Sequence, residues 1–116
     1  MTSNYYILDE EESPVIETDL TKWGQFMEKD ARRSVKREEV HGYLVSTVFL
    51  GLDHNHSLEG PPILWETMVF RDGSFRGLIV DRCSGSREQA EAMHDKMVER
   101  LNKGKNYNEN HSLQRP

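Results

Sequence analysis

The segment Asp53-His54-Asn55-His56 brings three side chains that bind metal ions, one carboxylate and two imidazoles, together within four residues. A hydrolytic zinc site needs three such ligands and an open position for water. Side chains elsewhere that could complete the site are those of His41, Glu66 and His94. However, adjacent residues of one loop seldom converge on a single ion, and neither an HExxH nor a paired CxxC motif is present. The sequence therefore predicts no metal or other cofactor.

The other interpretation of this segment is structural. We expect Asp53 and Asn55 to close a loop between two strands by hydrogen-bonding to nearby backbone groups, which is the ordinary turn chemistry of Asp and Asn. Asp53, His54 and Asn55 then remain candidates for contact with a binding partner.

Glu66 is a carboxylate on a strand face that otherwise holds Leu64, Met68 and Phe70. A buried charge must find a partner or take up a proton. The partners that the sequence offers are Arg76, Arg82 and His94. The structural interpretation is an ion pair or a charge that faces water, and the functional one is a polar anchor in an apolar pocket.

His94 lies on the apolar stripe of the last predicted helix, between Ala90 and Val98. We favour a hydrogen-bonded core histidine over a catalyst at this position. A contact of His94 with Glu66 or Asp53 would instead join helix, strand and loop in one polar cluster with general acid–base potential.

Charge is unevenly distributed along a chain of formal net charge −5. Residues 1–21 contain six carboxylates and no Lys or Arg, whereas residues 29–37 carry five positive charges against one negative charge. Arg32 and Arg33 of this basic segment are candidate binding residues. The overall acidity argues against general nucleic-acid binding, which needs a net basic footprint.

A small phosphorylated ligand, such as a nucleotide signal held between protomers, is an alternative partner. It would need Arg76, Arg82 or the basic segment near its phosphate. The aromatic residues that could stack on its base are Tyr43, Trp65 and Phe70. Ser-Gly-Ser at residues 84–86 could hold a phosphate at a helix N-terminus, although capping of the helix explains the same residues.

Cys83 precedes this helix, whose dipole would lower the pKa of the thiol. Nucleophilic catalysis would also need an aligned base, which the sequence does not locate. An enzyme is therefore not favoured, and a metal-dependent hydrolase that uses Asp53, His54, His56 and Glu66 is the remaining enzymatic alternative.

The elements that must position these residues follow from hydrophobic periodicity. Two short β-type runs at 5–8 and 14–18 precede a helix over about 20–31, with Asp19 as its N-cap. Alternating apolar residues predict strands at 35–40, 43–52, 63–70 and 75–81, with turns at His41-Gly42 and at 71–74. The last helix begins with a capping box of Ser86 and Gln89 and ends at Gly104.

This order predicts an α+β fold, with an antiparallel sheet of about four to six strands and two helices packed on one face. We expect residues 1–104 to form a single domain and residues 105–116 a flexible tail. Because the strands at 43–52 and 63–70 are apolar on both faces, we also expect a homodimer that covers the second face. No apolar run approaches the roughly 20 residues that span a bilayer, and no signal peptide is evident, so a cytoplasmic protein is expected.

The stretch STVFLGLDHN, followed by GPPILWETMVF, resembles a family of small proteins encoded in phage and prophage genomes. The similarity extends to YYILDEEESPV with the DLTKWGQFME helix, and to DRCSGSREQAEAMHDKMVERL, so that it covers roughly residues 5–101. The resemblance implies a phage protein that is dispensable for building the virion. Proteins of this kind often bind and modulate a host factor, and we expect a non-enzymatic inhibitor of a bacterial defence system, of the anti-CRISPR type.

Overall fold

The computed structural model describes residues 4–57, 59–71 and 77–114. Its strands and helices, in chain order, are β1 (Tyr6–Leu8), β2 (Pro14–Ile16), α1 (Leu20–Met27), α2 (Asp30–Arg33), β3 (Ser34–Val40), β4 (Tyr43–Phe49), β5 (Ile63–Arg71), β6 (Gly77–Ser84) and α3 (Arg87–Gln114). β1 and β2 form a two-stranded sheet, and β3–β4–β5–β6 form a four-stranded antiparallel sheet in sequence order. The predicted α+β class is confirmed.

The cap and turn residues predicted from the sequence have these roles in the structure. The side chain of Asp19 accepts hydrogen bonds from the backbone N–H groups of Thr21 and Lys22, which caps α1. His41 and Gly42 both have positive φ, 54° and 84°, as a two-residue hairpin turn between β3 and β4 requires. The predicted first helix, in contrast, is broken into α1 and α2.

The last helix is longer than predicted. Gly104 was expected to end it, but α3 continues to Gln114. A terminating glycine takes a positive φ, and Gly104 is not among the positive-φ glycines of the described residues. With ordinary helical geometry and open space around its Cα, it continues α3 rather than ending it. The predicted helix end is therefore wrong, and the flexibility of residues 105–116 stays a prediction.

The core lies between α3 and one face of the four-stranded sheet. Val45, Thr47 and Phe49 of β4 are paired with Val69, Thr67 and Trp65 of β5, and all six side chains are fully buried. Ala90, Met93, His94 and Met97 of α3 cover them. α1 adds Phe26, whose ring lies edge-on to Phe49 with 6.0 Å between centroids. The covered face is thus apolar except at its centre.

We call the other side of this sheet the open face, because the described helices make their core contacts on the covered face. By strand alternation and register, its residues are Arg37, Glu39, Leu44, Ser46, Val48, Glu66, Met68, Phe70, Val80 and Arg82. Its middle is apolar and half-buried, whereas Val80 is 44% exposed. In the described part of the chain, the helices therefore pack on one of the two apolar faces of β4 and β5, and the middle of the other face is half-buried.

Candidate functional site

A polar chain of side chains crosses the core at His94. The Nε2 atom of His94 lies 2.8 Å from a carboxylate oxygen of Glu38, and its Nδ1 atom lies 2.7 Å from Oγ1 of Thr47. Thr47 in turn shares a hydrogen bond with Thr67 on the neighbouring strand. Both ring nitrogens are occupied and the imidazole is fully buried. His94 is therefore a hydrogen-bonded core histidine, as the structural interpretation predicts.

His94 meets neither Glu66 nor Asp53, although both contacts were considered from the sequence. The reason is strand parity, because Glu38, Thr47 and Thr67 point to the covered face while Glu66 points to the open face. The Nε2 atom faces the carboxylate of Glu38, and the Nδ1 atom faces the hydroxyl of Thr47, which is itself hydrogen-bonded to Thr67. The inner end of this chain, at Thr47 and Thr67, is fully buried.

Asp53 closes the loop between β4 and β5. Its Oδ1 atom accepts hydrogen bonds from the backbone N–H groups of Asn55, at 2.8 Å, and of Ile63, at 2.9 Å. The backbone of His54 also donates to the carbonyl of Ile63, so the start and the end of the loop are tied together. The loop-closing interpretation of this segment is confirmed.

The remaining side chains of the segment also serve the loop. The amide nitrogen of Asn55 donates to the carbonyls of Glu59 and Pro61, and the Nδ1 atom of His54 lies 2.9 Å from the carbonyl of Leu52. His56 is exposed, with 6.5 Å between its ring centroid and that of His54. Among the residues that the structure describes, no group of three His, Cys, Asp or Glu side chains could hold a metal ion.

Glu66 forms an ion pair on the open face. Its carboxylate accepts a hydrogen bond of 2.8 Å from the Nε atom of Arg82, the residue directly across from it on β6. The Glu66 side chain is 11% exposed and that of Arg82 is 48% exposed. Glu66 thus holds Arg82 at a fixed position, with much of the guanidinium in solvent. Arg76, the other arginine considered as a partner, lies outside the described residues.

A cleft of about 450 Å³ opens where β6 meets the β4–β5 loop. It is lined by Asn55, Pro61, Ile63, Arg82, Cys83, Ser84 and Gln89. Beside it, Gln89 accepts from the backbone N–H of Ser86 and Ser86 accepts from that of Gln89, which confirms the predicted capping box. Gly85 carries a φ of 96°, and a Cβ there would lie 1.5 Å from Oε1 of Gln89. A side chain at Gly85 would therefore be strained by the positive φ and would displace the amide of Gln89.

The thiol of Cys83, on the wall of this cleft, departs from the sequence expectation. Burial raises its pKa, and the nearby carboxylate of Asp81 raises it further. This shift is opposite to the lowering expected from the dipole of α3, because desolvation penalises the thiolate. Cys83 is a half-buried thiol without the lowered pKa of an activated nucleophile.

The two arginines of the basic segment have different surroundings. The Nε atom of Arg33 donates to the carbonyl of Phe49 and its Nη1 atom donates to that of Met27, so this side chain joins α1 to the sheet. Arg32 lines a second cleft, of about 430 Å³, together with Glu12, Ala31 and Arg87. The ion pair between Glu12 and Arg87 was not predicted from the sequence, because the two residues are 75 positions apart.

The aromatic residues considered for base stacking are buried or lie far from the cleft beside Arg82. Trp65 is fully buried, and its indole N–H donates to the carbonyl of Gly85 at 2.8 Å, so it cannot stack on a ligand. Tyr43 and Phe70 are half-buried at the far end of the sheet from the cleft beside Arg82. The stacking arrangement expected for a nucleotide is therefore not assembled around Trp65.

Fold and site together define a class: a small α+β protein whose most chemically versatile side chains hold its own loops, sheet and helix. Comparison with known proteins finds no matching family model, no matching curated protein and no matching solved structure. In the described part of the chain, no helix has the length and apolar character to cross a membrane.

Proposed function

We propose that this chain is a non-catalytic phage accessory protein that binds a bacterial host protein and inhibits a defence system, of the anti-CRISPR type. The observation that carries the proposal is the open face, a four-stranded surface with an apolar centre and a charged border. The phage context rests on the sequence resemblance of residues 5–101.

The composition of the open face suits a protein partner. Its apolar residues include Val48, Met68 and Phe70, and its edge strands present Arg37 and Arg82. Methionine, aromatic residues and arginine are enriched in protein–protein interfaces, whereas lysine is depleted. The face carries two arginines and two glutamates, so its charges balance, which disfavours a nucleic acid or an acidic surface as the occupant.

Binding by occlusion is also consistent with the partners of the candidate side chains. Asp53 and Asn55 bind backbone groups of their own loop, and His94 binds Glu38 and Thr47. Such groups stabilise the fold that presents a surface, and an inhibitor that blocks a host protein by contact needs no reactive group.

The test is protection of a phage from host defence. Met68→Lys places a charge at the centre of the open face, and Leu20→Lys is the matched control because Leu20 is 58% exposed on α1. In bacteria that carry a CRISPR–Cas system, the wild-type protein and Leu20→Lys should raise phage plating efficiency, and Met68→Lys should not. If a folded Met68→Lys variant protects as well as the wild type, the open face is not the contact surface.

Two further measurements separate the alternatives. Light scattering after size exclusion measures the mass, and a dimer that Met68→Lys dissociates would assign the open face to a second copy, the homodimer expected from the sequence. A thermal shift of several degrees with one class of nucleotide would indicate a nucleotide-binding protein instead, by mass action on the folded state.

A further inference from the structure

Two arginines from different parts of the chain converge on the carboxylate of Glu12. The Nη2 atom of Arg32 in α2 lies 3.3 Å from one carboxylate oxygen, and the Nη1 atom of Arg87, the first residue of α3, lies 3.1 Å from the other. Glu12 belongs to the turn between β1 and β2. A carboxylate with one guanidinium on each oxygen is the arrangement of an oxyanion-binding site.

Both arginines are held in place by contacts that do not involve Glu12. Nη2 of Arg32 also donates to the carbonyl of Asp9 at 2.9 Å, and its guanidinium carbon lies 5.5 Å from the centre of the Phe26 ring. Nε of Arg87 lies 3.5 Å from a carboxylate oxygen of Glu91. Their side chains are 35% and 29% exposed, so their charges are less screened than those of freely solvated arginines.

Glu12, in contrast, is a replaceable part of the site. It is a non-glycine residue with a φ of 63°, a left-handed conformation that glutamate rarely adopts. The turn around it is held by Asp9, whose Oδ1 atom accepts from the backbone N–H groups of Glu11 and Ser13. The turn therefore has its own hydrogen bonds, and a cleft of about 430 Å³ lies beside the ion pairs.

We propose that Arg32 and Arg87 form a binding site for the oxyanion group of an external ligand, phosphate or carboxylate, and that Glu12 occupies this site in the free protein. A ligand displaces the Glu12 side chain and takes over its two ion pairs. Glu12 thus acts as a competing internal carboxylate that weakens binding of external anions. This site lies apart from the open face and does not depend on the proposed function.

The test compares binding of inorganic phosphate and of glutarate to the full chain by calorimetry. Glu12→Asn removes the carboxylate and keeps a residue that accepts positive φ. We expect it to bind at least one of the two anions tenfold or more tightly than the wild type. Glu11→Asn is the matched control, because it removes the same charge from an exposed position of the same turn. Glu12→Asn/Arg87→Gln should lose the gain.

The preferred anion identifies the source, since phosphate points to a phosphorylated ligand and glutarate to an acidic side chain or small acid. Equal affinity of the wild type and Glu12→Asn would overturn the proposal, as would an equal gain in Glu11→Asn, which would indicate general electrostatics. Glu12→Gln serves as a second variant, and amide resonances of Ile7 and Val15 report β1–β2 pairing. If both variants lose that pairing, Glu12 is a structural residue and the proposal is wrong.

Discussion

The imidazole of His94 on α3 lies 2.8 Å from the carboxylate of Glu38 on β3, and the two residues are 56 positions apart. This contact attaches the last helix to β3, an edge strand of the four-stranded sheet. Met93, the residue before His94, and Met97, about one turn after it, are buried in the apolar core. Apolar packing is compatible with several positions of a helix on a sheet, whereas a buried hydrogen bond is compatible with one. The contact therefore fixes where α3 sits.

Replacing His94 tests this role. His94→Leu keeps an apolar side chain of similar size but leaves Thr47 and Glu38 without their imidazole partner. We expect the free energy of unfolding in urea to fall by about 2–3 kcal/mol, the range for loss of a buried hydrogen bond and one to a charged group. His56→Leu is the control, because His56 is exposed, and its effect should stay within about 0.5 kcal/mol. Equal effects of the two substitutions would contradict a structural role for His94.

Two substitutions of Asp53 test whether its carboxylate closes the loop through hydrogen bonds or binds a metal ion. Asp53→Asn keeps an oxygen acceptor for the N–H groups of Asn55 and Ile63, whereas Asp53→Ala removes it. We expect Asp53→Ala to lower the free energy of unfolding by about 1–3 kcal/mol and Asp53→Asn by less than about 1 kcal/mol. If both variants lose the same stability, and zinc stabilises only the wild type in a thermal melt, Asp53 is a metal ligand.

The Glu66–Arg82 pair should contribute modestly to stability, because only Glu66 is buried. Arg82→Ala leaves that carboxylate unpaired, but water reaches it once the arginine is gone. We expect a loss of about 1–2 kcal/mol, less than the roughly 3–5 kcal/mol typical of a fully buried pair. Arg37→Ala, an exposed position on the same face, should change stability by less than about 0.5 kcal/mol.

A double-mutant cycle completes that measurement. Glu66→Leu/Arg82→Ala removes both charges, so the unpaired carboxylate is gone and the stability should recover in part. A coupling energy of about 1 kcal/mol is expected for a half-exposed, well-oriented pair. A coupling of zero would mean that Arg82 is free of Glu66 in solution.

The strands, their antiparallel order and the N-terminal helix caps were predictable because they depend on neighbouring residues. Asp19, His41-Gly42 and the box of Ser86 and Gln89 each act within four positions of the chain. The face that α3 covers was not predictable, since β4 and β5 are apolar on both sides and either face could have accepted the helix. The partner of His94 depends on that choice. The predicted contact of His94 with Glu66 depended on the same choice, and in the structure the two side chains lie on opposite faces of the sheet.

The convergence of Arg32 and Arg87 on Glu12 could not be predicted from the sequence for a related reason. Three separate segments, the β1–β2 turn, α2 and the start of α3, meet there. Their meeting follows from packing of Leu8 and Phe26 into the same core as Met93 and Trp65. The sequence shows an acidic segment and a basic segment, but only the folded core decides which carboxylate meets which guanidinium.

Alkylation of Cys83 gives a prediction with a defined dependence on pH. The thiolate reacts with iodoacetamide, and burial together with Asp81 raises the pKa of this thiol in the folded chain. The pH at which alkylation reaches half its maximal rate should therefore be higher for the folded protein than for the same chain in urea. Asp81→Asn removes the second cause and should move that pH part of the way back. Alkylation of the folded chain at a lower pH than the unfolded chain would instead indicate the activated cysteine that the helix dipole suggested.

The same pKa shift makes stability depend on pH. Because the thiol pKa is raised on folding, the unfolded chain releases its proton first as the pH rises, and the folded state then loses stability relative to it. Below the pKa of the unfolded thiol both states are protonated and Cys83 contributes no pH dependence. Urea midpoints of the wild type should thus fall more steeply than those of Cys83→Ala as the pH rises through the interval between the two thiol pKa values. Parallel curves for the two proteins would show that the folded thiol titrates as it does in the unfolded chain, and that the wall of the cleft beside Arg82 is open to water.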